Sequence, residues 1–303
     1  MSSTATIAAP FERPTAPRLK LPANAVDAHC HVFGPAARFA FSATRRYTPP
    51  DAPYEALDAL HRHLGIDRAV LVQASVHGTD NSAMLDAVAR ANAETPHRWR
   101  AVAMADDNTP LDELKRWHRL GVRAVRFNFV QHLGGAPDLA LVQRVIERIS
   151  PLGWHLVLHL DADDLVHYTD FLDKLRLPFM IDHMGRPNAA KGVNQEPFQR
   201  LLALMHNPLA WVKICGAERI SALGPNYSQQ HNAQPWLDAV PFAQALLDVA
   251  PQRVIWGTDW PHPNVREMPN DGLLVDLLTE IAPSDLRQLV LVDNPQRLYW
   301  ERS

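Results

Sequence analysis

From residue 25 almost to the end of the chain, short apolar runs alternate with amphipathic stretches. The runs at 25–33, 68–73, 99–104, 124–129, 155–160, 179–182, 211–214 and 254–257 are the right length for strands. Between and after them, 54–64, 81–92, 111–120, 139–149, 165–175, 198–205, 242–249 and 272–281 carry helical spacing, and 284–299 predicts a helical tail. Eight strand–helix units, each long enough for a right-handed crossover, predict a (β/α)8 barrel of the α/β class. The expected organisation is one domain over 23–303 with a flexible or surface-draped arm over 1–22. A doubly wound sheet is the main competitor. It calls for a glycine-rich turn after the first strand, where this chain has Gly34-Pro35 and a long loop.

A barrel places its chemistry at the C-terminal ends of strands and on the loops that follow. His29 and His31 meet that criterion after the first run. On an extended strand they share a face, with Cys30 on the other. His159 closes the fifth run, His183 follows the sixth and Asp259 follows the eighth. Among 15 histidines some reach such places by chance. His61 and His63 lie on a predicted helix, where residues two apart do not face each other, and read as surface. His97, His118, His206 and His231 read as solvated, and His155 as structural at the opposite end of the barrel.

Three of these strand-end imidazoles and the carboxylate suit a zinc or similar divalent ion with an open position for water, the fourth imidazole being placed to orient or deprotonate that water or to polarise a carbonyl. The same groups also work without metal. In that case Asp259 is the general base, and the histidines hold the carbonyl oxygen as charge develops. Arg126, Arg186 and Arg219 at the same rim favour an anionic substrate, since a guanidinium grips carboxylate in a bidentate fork. Tyr47 and Ser75 are placed to add hydrogen bonds.

Composition narrows the partners. The chain has 303 residues, 47% of them hydrophobic, enough for one large core. A net charge of -3 gives no reason to expect nucleic acid or a membrane surface. No apolar run is long enough to span a bilayer, and 1–22 has no signal-like segment. Cys30 and Cys215, both expected in buried strands, suggest no disulfide framework. A cytoplasmic protein is expected, with homo-oligomerisation open.

The stretches 26–35 (VDAHCHVFGP), 121–129 (GVRAVRFNF), 182–187 (DHMGRP), 257–262 (GTDWPH) and 292–295 (VDNP) form an ordered set. As a set they resemble the amidohydrolase superfamily, and more closely its 2-pyrone-4,6-dicarboxylate lactonase-like branch. The resemblance implies a lactone hydrolase in which Asp259 activates water, His29, His31 and His183 surround the lactone carbonyl, and no metal is required. It also implies that Tyr47, Ser75, Arg126, Arg186 and Arg219 bind substrate or support the site. Two departures stand out. The lactonase pattern has a tyrosine where this chain has His159, and a second arginine near the place of His132. The first restores a histidine that metal-dependent members use as a ligand, completing a set of His29, His31, His159 and Asp259 for one divalent ion, zinc above others, and the second removes a carboxylate clamp. Both leave the substrate open between pyrone, muconolactone and sugar-acid lactones. A metal-dependent, non-oxidative decarboxylase of an aromatic or muconate-type acid is the alternative enzyme. A catalytically silent barrel ranks last, because a scaffold has no use for so many ionisable groups on one rim.

Overall fold

A computed structural model describes residues 5–224, 230 and 233–301. Eight parallel strands form the expected sheet: β1 (Val26–Cys30), β2 (Arg68–Val72), β3 (Trp99–Ala103), β4 (Val122–Asn128), β5 (His155–His159), β6 (Phe179–Ile181), β7 (Ala210–Lys213) and β8 (Val254–Ile255). They neighbour one another in chain order. The two end strands join through Ala28 N–H to the Trp256 carbonyl at 2.9 Å and Asp259 N–H to the His29 carbonyl at 2.7 Å, so the sheet closes into a (β/α)8 barrel.

Closure requires a residue without a side chain. A Cβ on Gly257 would stand 2.4 Å from His29 N and 2.7 Å from His29 Cβ. Asp27 completes the seam. Its carboxylate accepts from Thr258 N–H at 3.0 Å and Thr258 Oγ1 at 2.6 Å, and it pairs with His61 Nε2 at 3.1 Å.

His61 is therefore fully buried and not on the surface. The helix Tyr54–Leu64 buries Leu57, His61 and Leu64 on one face, at the spacing of four and three that defines a helical stripe. His63, two residues on, is exposed as expected. His97 and His206 are also exposed, whereas His118 is half-buried and accepts from Trp154 Nε1 at 3.0 Å. His231 lies outside the described residues. His155 packs its ring 4.9 Å from Tyr299, where the C-terminal tail plugs the barrel floor.

Val26, Ala28, Val70, Val72, Val102, Ala124, Val157 and Met180 fill the barrel interior, and a larger cluster packs the strands against the helices. The helix expected over 165–175 begins earlier and breaks in two, Ala162–His167 and Thr169–Lys174. An Asp161–Asp164 capping box sets its start. The arm runs along the barrel surface. Ala5–Thr6 pairs in parallel with Tyr47–Thr48, and the Arg18 and Leu19 amides both donate to Asp276 Oδ1. Among the described residues, no helix is long and apolar enough to cross a membrane.

Candidate active site

Strict alternation from the inward-facing Val26 and Ala28 would turn His29 away from the interior. The register between β1 and β2 shifts between Asp27 and Cys30, and past that shift His29 and His31 both face the barrel mouth. Cys30 packs outward, its thiol 3.8 Å from the Val70 carbonyl. His183 and Asp259 are presented on backbone with positive φ, 53° and 64°. Non-glycine residues hold that conformation only where the surroundings enforce it, and such strain gathers at functional sites.

Asp259 is the hub. Its Oδ1 lies 3.2 Å from His31 Nε2 and 3.5 Å from His29 Nε2, and its Oδ2 accepts from Arg219 Nε at 2.7 Å. Burial pushes this carboxyl up, but Arg219, His183, His31 and His29 outweigh it and hold it well below the usual carboxylate range. Asp259 is thus ionised. Arg219, expected to grip substrate, spends its fork on Asp259.

A second buried carboxylate lies beneath. Asp182 accepts from Arg126 Nε at 3.1 Å and pairs with Lys213 Nζ at 3.1 Å. Burial raises it, and Lys213, His29 and Arg126 together keep it well below its ordinary value. The Lys213 ammonium also lies 3.0 Å from His29 Nδ1. Burial first, and then Lys213, push the His29 imidazole down to about 4, so the ring is neutral near pH 7.

His159 lies to one side. Its Nδ1 pairs with Asn128 Oδ1 at 3.1 Å, and its Nε2 accepts from Arg186 Nη1 at 3.2 Å. Tyr47 Oη is 3.4 Å from Ser75 Oγ, and burial raises the phenol to about 12. His31, Tyr47, Ser75, Arg126, His132, His159, His183, Arg219 and Asp259 all line one cavity of about 20 Å3. That is room for about one water molecule. The turn Gln131–Leu133 after β4 contributes His132 and Leu133 to its lining.

His29, His31 and Asp259 bring ligand atoms within 4.8 Å of one another, close enough to hold an ion. The four-ligand set read from the sequence is not assembled, however. His159 Nε2 is turned to Arg186. His29 Nδ1 lies between the Lys213 ammonium at 3.0 Å and Asp182 Oδ1 at 3.4 Å, and an ammonium there disfavours the Nδ1–H form that frees Nε2 for a metal. His31 Nε2 faces Asp259 Oδ1 at 3.2 Å, and Asp259 Oδ2 is held by the Arg219 cation. As arranged, these residues do not fit a three-histidine, one-aspartate centre.

Lys213 and Asp182 escaped the sequence reading. Lys213 is the last residue of an apolar strand, the same signal that pointed to His159, and Asp182 stands inside the 182–187 stretch.

A closed parallel barrel with histidines, carboxylates and arginines at its strand ends has the architecture of (β/α)8 enzymes. The chain belongs to the amidohydrolase family, whose model matches residues 26–300. It is 46% identical over 294 residues to a 2-pyrone-4,6-dicarboxylate hydrolase of Comamonas testosteroni, covering 96% of this chain and 94% of that one. It is 43% identical over 287 residues to a 4-sulfomuconolactone hydrolase of Hydrogenophaga intermedia, covering 93% and 90%. An apo crystal structure from Agrobacterium tumefaciens, 28% identical, superposes with a TM-score of 0.79 over 94% of this chain and 98% of that one.

Proposed function

We propose that this protein opens a small lactone carrying one or more acid groups, adding water at the ring carbonyl to give the open-chain acid. The observation that carries the reading is Asp259, paired with Arg219, in the lining of a cavity that His31, His183 and Arg126 share. The two relatives act on a pyrone dicarboxylate and a sulfomuconolactone, both anionic lactones, which supports an anionic lactone here.

Asp259 takes a proton from water as the water oxygen bonds to the carbonyl carbon. The developing oxyanion is held by imidazole N–H groups facing the cavity. The ring C–O bond then breaks, its electron pair goes to the leaving oxygen, and that oxygen takes up the proton. Arg126 and Arg186 hold substrate carboxylates, and Tyr47 and Ser75 fix the ring by hydrogen bonds. Arg219 keeps Asp259 charged and aimed. The donor orientations at His29 and His159 support a route without metal, and a zinc-dependent route is its rival.

The test is turnover of pyrone, muconolactone and sugar-acid lactones by the wild type and Asp259→Asn, read by mass spectrometry. The expected product is heavier than substrate by one water, with a rate loss of roughly 10³-fold in the variant, within the range of general-base contributions. Release of CO2 from an aromatic acid, or an unchanged rate in Asp259→Asn, contradicts the reading.

A further inference from the structure

The three imidazoles nearest Asp259 differ in what stands behind them. His31 lies between two acceptors, the Val72 carbonyl 2.8 Å from Nδ1 and Asp259 Oδ1 3.2 Å from Nε2. His29 Nδ1 instead faces the Lys213 ammonium at 3.0 Å, which only donates. His183 Nδ1 faces the Cys215 thiol at 3.2 Å. A thiol gives its hydrogen to a ring nitrogen more readily than its sulfur accepts one. Gly216 makes this approach possible, since a Cβ there would stand 3.0 Å from His183 Nδ1.

We propose that Lys213 and Cys215 are positioning residues that donate to Nδ1 of His29 and His183. They thereby hold both rings as Nε2–H tautomers, one N–H facing Asp259 and the other facing the lactone carbonyl. This rests on the hydrolase reading above for its kinetic consequences only.

Lys213 decides between two states that are both within reach. Asp182 Oδ1 lies 3.4 Å from the same His29 Nδ1. Without the ammonium it is the nearest acceptor there, and it would draw the ring proton to Nδ1, leaving a bare lone pair at Nε2 opposite the Asp259 carboxylate, 3.5 Å away. With the ammonium in place, the proton lies between His29 and Asp259, where it is attractive. The same logic holds for His183. Its ring lines the cavity, and Cys215 occupies Nδ1, which leaves Nε2 as the nitrogen free to serve it. Which nitrogen carries the proton in a catalytic histidine is set by the partner of the other.

The experiment is side-chain 15N NMR of histidine in the full-length protein, joined to steady-state kinetics on Lys213→Met, Cys215→Ala and Cys215→Ser. In the wild type, His29 and His183 are expected to show the Nε2–H pattern. Lys213→Met moves His29 to the Nδ1–H pattern and lowers kcat about 10²-fold, the scale of losing one preorganised donor, with KM within roughly threefold. Cys215→Ala lowers kcat about tenfold and loosens the His183 signal, whereas Cys215→Ser, which keeps a donor, recovers most of both. Nδ1–H patterns for His29 or His183 in the wild type overturn the proposal. So does equal kcat in Cys215→Ala and Cys215→Ser. If Lys213→Met does not fold, the cysteine pair alone decides. If the wild type turns over no lactone, the hydrolase reading fails while the ring signals still report the tautomers.

Discussion

Arg219 Nε donates to Asp259 Oδ2 at 2.7 Å, with both side chains nearly closed to solvent. Its positive charge is the largest influence opposing the burial that would otherwise neutralise Asp259. Replacing Arg219 with Met removes the cation and leaves a buried carboxylate undercompensated. The Asp259 carboxyl then rises, so the acid limb of the kcat/KM profile moves to higher pH. Breaking such a pair costs on the order of 3–5 kcal/mol of stability. A pH–rate profile together with denaturant unfolding checks both effects, and an unmoved acid limb counts against Arg219 as the partner that keeps Asp259 charged.

Arg126 divides its guanidinium between Asp182, through Nε at 3.1 Å, and the cavity it lines. If it also receives a substrate carboxylate, Arg126→Met raises KM by about 10- to 100-fold, the equivalent of one charge-assisted hydrogen bond, with a smaller change in kcat. Steady-state kinetics on the preferred lactone gives both numbers. A lower kcat at constant KM would instead assign Arg126 to holding Asp182.

The arm is tied to the site through Tyr47. Ala5–Thr6 pairs with Tyr47–Thr48, and Ile7 N–H donates to the Thr48 carbonyl at 3.1 Å. Deleting residues 1–10 frees that segment, and with it the phenol that meets Ser75. The expected result is a KM raised by roughly threefold to tenfold at near-constant kcat, the scale of one hydrogen bond. An unchanged KM would make the arm a surface strap only.

Stability falls on the acid side in two windows. His29 is pushed down by burial and Lys213 to about 4 in the folded chain, from an ordinary value of 6.5. Between those values the unfolded chain binds the proton and the folded one does not. The stability present above pH 6.5 is therefore lost as pH falls through about 4, with a ceiling of about 3 kcal/mol. His159 and His183 shift in the same direction. Asp182 and Asp259, both held below 3.8, contribute stability that persists above that value and is lost at lower pH still. Melting temperatures from pH 7.5 to 3 should decline from about pH 6.5 downward, and a flat profile to pH 4 contradicts the buried neutral histidines.

Much of the site was legible because barrel geometry gives a positional criterion. His29, His31, His183, Arg126 and Asp259 all satisfy it and all meet at one cavity or one carboxylate. What the sequence hid depends on how side chains pair. Nothing local says that Arg219 turns to Asp259, or that His159 turns to Arg186, because each partner comes from a different strand end. Lys213 was hidden for another reason. A lysine ending an apolar strand usually reaches water, and only the fold shows this one enclosed with Asp182 and His29. His61 was readable in principle, since Leu57, His61 and Leu64 form a helical stripe that the short His-x-His pattern obscured.

The central claim is that Asp259 activates water without a metal. Its most direct test is the turnover rate of enzyme purified without added metal and dialysed against chelator, with bound metal measured on the same sample. An unchanged kcat at well under one ion per chain is expected. Loss of activity on chelation, restored by about one equivalent of zinc, would contradict it.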